Sequence, residues 1–199
     1  MKVHLKNDSI LKNYNEETKP SEIFKEVCHL IGKYYSEKGW KYYGGRPKIK
    51  RESNDLIIEI NFWSSHSNMA GSYVQLEILP YVSSKQLRKW IKEHEIGRNP
   101  TIYAPKTYSF RHNNVFGITE SGLSSLLNEM DNFIEQHLNI ENNDKFIEKV
   151  FQDLEESVRD NFACYFAMKK DKRMFDVIDY QNGFSIDKMT TDKLRKYYG

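Results

Sequence analysis

The chain has 199 residues, a length that fits one domain with its own hydrophobic core better than two. With 30 Lys and Arg against 28 Asp and Glu, its net charge of +2 does not by itself indicate nucleic-acid binding, which would need a local cluster of basic residues. The mean hydropathy is −0.74, no stretch approaches the roughly 20 apolar residues of a membrane-spanning helix, and the first residues lack the apolar core of a secretion signal. We therefore expect a cytoplasmic protein with no membrane partner.

The chain begins with a polar stretch and then a helix. Residues 1–20 carry charges of both signs, and we interpret them as an N-terminal arm. Ser21 follows Pro20 and is a suitable N-cap, and Gly39 stands where a glycine commonly ends a helix. Between them, apolar residues recur at three- and four-residue steps, which predicts an amphipathic helix. These are Ile23, Phe24, Val27, Leu30, Ile31 and Tyr34.

Three runs with strand character follow. Residues 40–51 predict a hairpin, with Gly44 and Gly45 forming a primed two-residue turn in which both residues have positive φ. Residues 56–64 and 73–82 alternate between apolar and polar side chains, which is typical of strands with one buried face. The predicted inward residues are Leu56, Ile58, Ile60, Phe62, Val74, Leu76, Ile78 and Val82. Pro80 indicates a sheet edge or a bulge near the end of the third run.

The second half of the chain is mainly helical by its apolar spacing. Ser83 and Gln86 fit a capping box for a short helix over 83–94, and 97–118 is irregular with one further short strand. Thr119 begins a second long helix that continues to Leu138. Asn143 or Asp144 caps a third, whose apolar stripe continues to Tyr165. From residue 169 the chain becomes polar and ends in a basic and aromatic tail.

These elements predict an α+β fold: an antiparallel β-meander of three to five strands with long helices packed on one face. The predicted organisation is an arm over 1–20, a single α+β domain over 21–168 and a C-terminal appendage over 169–199. The sequence leaves open whether this appendage stands alone or is part of the same domain.

No catalytic motif is apparent. The chain has no GxGxxG, P-loop or G-x-S-x-G sequence, and its histidines lack metal-ligand spacing, so we expect no metal and no cofactor. Ser65 and His66 are neighbours, and neighbouring residues on a strand point in opposite directions, which argues against a nucleophile pair. Cys28 and Cys164 lie among helix-spaced apolar residues, which predicts buried free thiols. We assign no catalytic residue, and enzyme activity is left open with a preference against it.

The stretch "GWKYYGGRPKIKR" at 39–51 has two interpretations. Its lysines and aromatic residues would suit a nucleic-acid-binding hairpin. On the predicted sheet, however, the lysines share a face with Glu59 and Glu77, and cross-strand pairing with these carboxylates accounts for the basic residues. Aromatic residues on that polar face are typical anchors of protein interfaces, so the leading hypothesis is a protein-binding module. The candidate binding residues are Trp63, Tyr73, Tyr81, Lys48 and Lys50. The alternatives are a nucleic-acid-binding module using 39–51 and the basic C-terminal tail, and a hydrolase with a dispersed active site.

Several short motifs resemble, in the same order, those of a known group of proteins. They are Gly39-Trp40-Lys41, then Arg51, then "INFWSS" at 60–65 and "VFGITESGLSSLLNEMDNFIEQHL" at 115–138. Over residues 21–151 the chain resembles uncharacterised bacterial domains of unknown function, with a leading helix, a hairpin, a strand ending in an aromatic and two serines, and closing helices. The resemblance implies a small cytoplasmic accessory protein, with an immunity or defence-associated role by analogy.

Overall fold

A computed structural model describes residues 3–104, 111–112, 115–154, 156–179 and 188–198. The chain has the predicted α+β fold, with helices packed on an antiparallel sheet. The helices are α1 Ile10–Asn13, α2 Pro20–Ser36, α3 Lys85–Glu93, α4 Glu120–His137, α5 Asn143–Gln152, α6 Arg159–Met168, α7 Arg173–Asp179 and α8 Lys188–Tyr198, with a 3-10 turn at Glu156–Val158. The strands are β1 Lys41–Tyr43, β2 Lys48–Ser53, β3 Leu56–Trp63, β4 Leu76–Ser84, β5 Thr101–Tyr103 and β6 Arg111–His112.

The sheet follows chain order, β1-β2-β3-β4-β5, and β6 also pairs with β4. Strand β4 pairs with β6 at Leu76 and with β5 at Val82, and the register shifts between Val82 and Ser83. Pro80 lies between these two paired stretches. The irregularity predicted from Pro80 is therefore confirmed.

The inward faces of the two central strands are also as predicted. Ile58, Ile60, Leu76 and Ile78 are each exposed by 1% or less. Leu56, Phe62, Val74 and Val82 are buried with them. From Ile58 to Trp63 the burial of β3 alternates, whereas Ile57, on the opposite side of the strand, is also buried. A shift of one residue would turn Ile58, Ile60 and Phe62 to the other face.

The loop of the first hairpin differs from its prediction. The register pairs Tyr43 with Lys48, so Gly44 to Pro47 form a four-residue connection. Neither Gly44 nor Gly45 has a positive φ, whereas Gly39 does, at +81°. The predicted primed turn is wrong because a four-residue connection can reverse the chain around an ordinary turn without left-handed residues. The predicted helix-ending role of Gly39 is confirmed.

Helix starts differ from the predictions by one or two residues in three of four cases. Thr119 caps α4 as predicted, through a 3.1 Å bond from the Gly122 N–H to its Oγ1. Helix α2 begins at Pro20 itself, α3 is capped by Ser84 rather than Ser83, and α5 by Asn142. Ser84 is the cap because Asp55 holds its side chain in place. The Ser84 hydroxyl donates to Asp55 at 2.6 Å, and its oxygen accepts a hydrogen bond from the Leu87 N–H.

The third predicted helix is two helices. It breaks after Gln152, and α6 begins at Arg159 after the 3-10 turn. The break lets Phe151 return onto the next helix, where its ring lies 6.4 Å from that of Phe162 and 5.4 Å from that of Phe166. Helix α6 is buried on nearly all sides, so its apolar residues do not form the single stripe that the sequence pattern suggests.

The described residues form two compact units. The first comprises Met1–Arg51, Glu59–Pro80 and Thr107–Asn139, and the second Glu52–Ile58, Tyr81–Lys106 and Ile140–Gly199. In the first unit, Leu5 lies against α4, where its N–H donates to Glu120 at 2.8 Å. In the second unit, α8 packs on α6 and buries Leu194 completely.

Candidate binding face

The first unit has a sheet face that helix α2 leaves uncovered. Tyr42 of β1 points toward α2, where its ring packs directly on Gly32, and Ile49 beside it is fully buried. Alternation then directs the neighbouring side chains to the opposite face. We define the open sheet face by seven residues, none of which is buried: Lys41, Tyr43, Lys48, Lys50, Glu59, Asn61 and Trp63.

The centre of this face is held by one basic side chain. Lys48 Nζ lies 3.2 Å from Glu59 Oε1 and 5.6 Å from the centre of the Tyr43 ring. The predicted pairing of this lysine with a strand carboxylate is thus observed. Such a half-exposed pair contributes little stability, but it fixes the direction of both side chains on the face.

Trp63 ends β3 and lies at one end of the open sheet face. The Phe62 N–H donates to the Pro47 carbonyl at 2.9 Å, which places the end of β3 beside the loop between β1 and β2. Trp63 exposes 42% of its surface, as does Tyr43. Its ring meets that of His66 edge-on at 6.5 Å. The face therefore offers two large aromatic side chains to solvent.

The segment after Trp63 is a turn held by its own side chains. The Ser64 hydroxyl donates to the Gln75 carbonyl at 2.9 Å, and Asn68 Nδ2 donates to Ser64 at 2.7 Å. The Gln75 N–H donates back to Asn68 Oδ1 at 2.8 Å, and Met69 and Tyr73 exchange two backbone bonds. This 64–75 turn presents Met69 with 59% of its surface exposed.

The structure places the five predicted binding residues in different settings. Lys48, Lys50 and Trp63 lie on the open sheet face. Tyr73 belongs to the 64–75 turn and not to a strand, because residues 64–75 bond to one another and β4 begins only at Leu76. Tyr81 is half-buried in β4 within the second unit. Glu77, expected on the outer face, is only 8% exposed and accepts a bond from the Gln75 side chain at 2.8 Å.

Two exposed residues of this region were not among the predicted binding residues. Tyr43 was missed because its face depends on the hairpin register, and the register depends on the loop length that the sequence pattern mispredicted. Met69 was missed because it lies in a turn rather than in a periodic segment. The signal for it was an apolar residue inside the polar run "SSHSNMAGS".

A second polar cluster of the first unit joins two helices. The hydroxyls of Tyr34 and Tyr35 both donate to Asp131 of α4, and Lys38 Nζ lies 2.6 Å from the same carboxylate. Burial raises the pKa of both tyrosines, and Asp131 raises each further. The phenols therefore stay protonated at neutral pH, and the cluster holds α2 to α4.

The remaining candidates for chemistry are buried or dispersed. Cys28 and Cys164 are buried free thiols, as predicted. Burial raises the pKa of both, that of Cys164 to about 12, so neither is a nucleophile in the folded chain. In the part of the chain that the structure describes, no three His, Cys, Asp or Glu side chains lie together as a metal site would require.

Fold and face together define an α+β protein with an open, aromatic sheet surface. No family model, curated protein or solved structure matches the chain. No helix among the described residues is both long and apolar enough to cross a membrane.

Proposed function

We propose that this protein is a protein-binding module whose partner docks on the open sheet face. The observation that carries the proposal is the pair Tyr43 and Trp63, each 42% exposed on a strand face that no described helix covers. Tryptophan and tyrosine are the side chains most often found at the energetic centre of protein interfaces. Lys48, Glu59 and Asn61 surround them with the polar groups expected of an interface rim.

The 64–75 turn supports the same proposal. Met69 is unbranched and polarisable, and such side chains adapt to partner surfaces. Its turn is already fixed by hydrogen bonds from Ser64, Asn68 and Gln75. A pre-organised loop loses little conformational entropy on binding, so more of the contact energy is available as affinity.

The charges on the face specify the partner's chemistry. Lys41, Lys48 and Lys50 are basic, and Glu59 is the carboxylate among them, bound to Lys48. A complementary surface would place an apolar side chain against Trp63 and carboxylates around it. The resemblance to bacterial accessory domains supports an accessory or immunity-type role for such binding.

The proposal is tested by site-specific photo-crosslinking in the cells that produce the protein. A photoreactive phenylalanine analogue replaces Trp63, and as a matched control replaces Lys33, which is exposed on α2. We expect a discrete crosslink to one other protein from position 63 only. That protein is then purified, and its affinity is measured for the unmodified chain and for Trp63→Ser. Loss of a central anchor weakens binding by about 30-fold.

Two results would contradict the proposal. If the purified partner binds the Trp63→Ser chain as tightly as the unmodified one, the open sheet face is not its docking site. If position 63 crosslinks only to a second copy of this chain, the face is a self-association surface instead.

A third variant, Lys41→Glu, should slow association chiefly at low salt if the partner's rim is acidic.

A further inference from the structure

Helix α3, in the second unit, has its apolar and basic residues on opposite sides. Leu87, Trp90 and Ile91 are buried. The exposed basic residues recur at steps of three and four and are Lys85, Arg88, Lys89 and Lys92. Residues at this spacing share one helix face, so α3 presents a row of positive charge about 10 Å long.

Two further basic segments of the same unit pack beside this row. Lys169, just after α6, donates to Gln86 of α3 at 2.6 Å. Lys193 of α8 donates at 3.3 Å to the carbonyl of Glu95, just after α3. We define the basic helical surface by its exposed members: Lys85, Arg88, Lys89, Lys92, Lys169, Lys170, Lys172, Lys193, Arg195 and Lys196.

An aromatic cluster locks α8 against α3. The Tyr197 ring meets Trp90 edge-on at 5.0 Å and His94 edge-on at 4.7 Å, and the Trp90 and His94 rings stack at 4.5 Å. Lys170 Nζ lies 5.6 Å from the centre of the Tyr197 ring. The basic residues of these segments are therefore held in a fixed arrangement.

Positive charge is only partly neutralised on this surface. Lys85 is paired with Glu52 at 2.7 Å, and Lys89 lies 3.7 Å from Glu93. In contrast, Arg88, Lys92 and Lys196 form no ion pair with any carboxylate that the structure describes.

We propose that the basic helical surface binds the phosphate backbone of a nucleic acid. Exposed Lys and Arg side chains on rigid helices suffice for phosphate contacts, which need no apolar centre. Binding of this kind reads charge and not base sequence. The proposal goes beyond the docking of a protein partner, because it concerns a different surface in the other unit.

The distribution of exposed apolar side chains distinguishes this ligand from the other anionic partners. The described large apolar residues with more than a third of their surface exposed are Tyr14, Tyr43, Trp63 and Met69, all in the first unit. A membrane-surface helix needs apolar side chains to insert among the lipids, and a protein interface needs an apolar core. The basic helical surface, as described, presents neither feature.

Fluorescence anisotropy with labelled oligonucleotides of mixed sequence tests the proposal on the full chain. Single-stranded RNA, single-stranded DNA and duplex DNA are each titrated over a range of salt concentrations. The test variant is Arg88→Glu with Lys92→Glu. The control is Lys6→Glu with Lys25→Glu, which makes the same change in net charge at exposed positions of the first unit. Thermal melts establish that both variants fold.

We expect micromolar binding that weakens steeply with salt, with little dependence on base sequence. The test variant should bind more weakly, and the slope of log affinity against log salt should fall by about 1 for each phosphate contact removed. The control variant should bind the oligonucleotides with nearly the same affinity as the unmodified chain. Trp63→Ser should also bind normally, so failure of the protein-partner proposal would leave this one standing.

Three outcomes would overturn the proposal. The first is no binding to any oligonucleotide at low salt. The second is equal loss of affinity in the test and control variants, which would show that only net charge matters. The third is binding to vesicles of anionic phospholipid that exceeds binding to nucleic acid and depends on Arg88 and Lys92, which would identify a membrane surface instead.

Discussion

Neighbouring side chains of β3 lie in different surroundings, which a pair of adjacent substitutions can test. Ile60 is 1% exposed in the core, whereas Asn61 lies on the open sheet face. Ile60→Ala removes buried methyl groups and leaves a cavity, so it should lower the free energy of unfolding by about 2–5 kcal/mol. Asn61→Ala should change it by about 0.5 kcal/mol or less, as is usual at exposed sites. Urea denaturation measures both, and comparable losses at the two positions would contradict the assigned faces.

At the scale of single residues, the sequence predicted which strand side chains are buried better than it predicted which residues cap the helices. The inward set that includes Ile58 and Leu76 follows from alternation alone, because strand periodicity leaves only two choices of face. Ser84 replaces Ser83 as the cap because its hydroxyl donates a hydrogen bond to Asp55, which lies 29 positions earlier in the chain. The residues next to Ser84 in the sequence do not indicate such a distant partner, so the choice of cap could not be predicted from them.

The ends of secondary-structure elements give a second test, at two glycines. Gly39 follows α2 with φ of +81°, a conformation that L-residues rarely adopt. Gly45 lies in the first hairpin's loop without a positive φ, and an added Cβ would meet no atom within 4 Å. Gly39→Ala should therefore destabilise the chain by about 1 kcal/mol, and Gly45→Ala should be neutral or stabilise it by about 0.5 kcal/mol. The reverse order in thermal melts would restore the primed turn that the sequence suggests.

At the scale of elements, the sequence predicted their types better than their connections. The hairpin, the central strands and the long helices follow from periodicity. The loop between β1 and β2 and the break before α6 do not, because both depend on tertiary packing. In particular, Phe151 returns onto Phe162 and Phe166 only once the chain has turned.

Whole-molecule averages conceal two different surfaces. The net charge of +2 gives no sign that the first unit exposes aromatic side chains among lysines, or that helix α3 of the second unit carries a row of exposed cations. The basic C-terminal tail was visible in the sequence, but its packing against the charged row of α3 was not. Of the candidate binding residues, Lys48, Lys50 and Trp63 were predicted on the correct face, while Tyr43 and Met69 required the register and the turn.

Alkaline pH should weaken the chain as a whole, because each unit buries a thiol. Burial raises the pKa of the Cys28 thiol in the first unit well above its usual range. In the second unit, burial raises the pKa of Cys164 to about 12. An unfolded thiol ionises near pH 8.5. Below that pH both states hold the proton and the contribution to stability is complete. Above it the unfolded chain releases protons that the folded chain retains, so the free energy of unfolding falls as pH rises.

Each thiol can contribute up to about 1.4 kcal/mol per pH unit in this range. Tyr42 and Tyr165, whose pKa values burial raises to about 12, add a loss of the same sign above pH about 10. Urea denaturation at a series of pH values from neutral to alkaline measures the decline. In the double variant Cys28→Ala with Cys164→Ala, the decline between pH 8.5 and 10 should largely disappear, since the remaining groups titrate higher. A stability that stays constant over that range in the unmodified chain, or an equal decline in the variant, would show that the thiols are not buried as described.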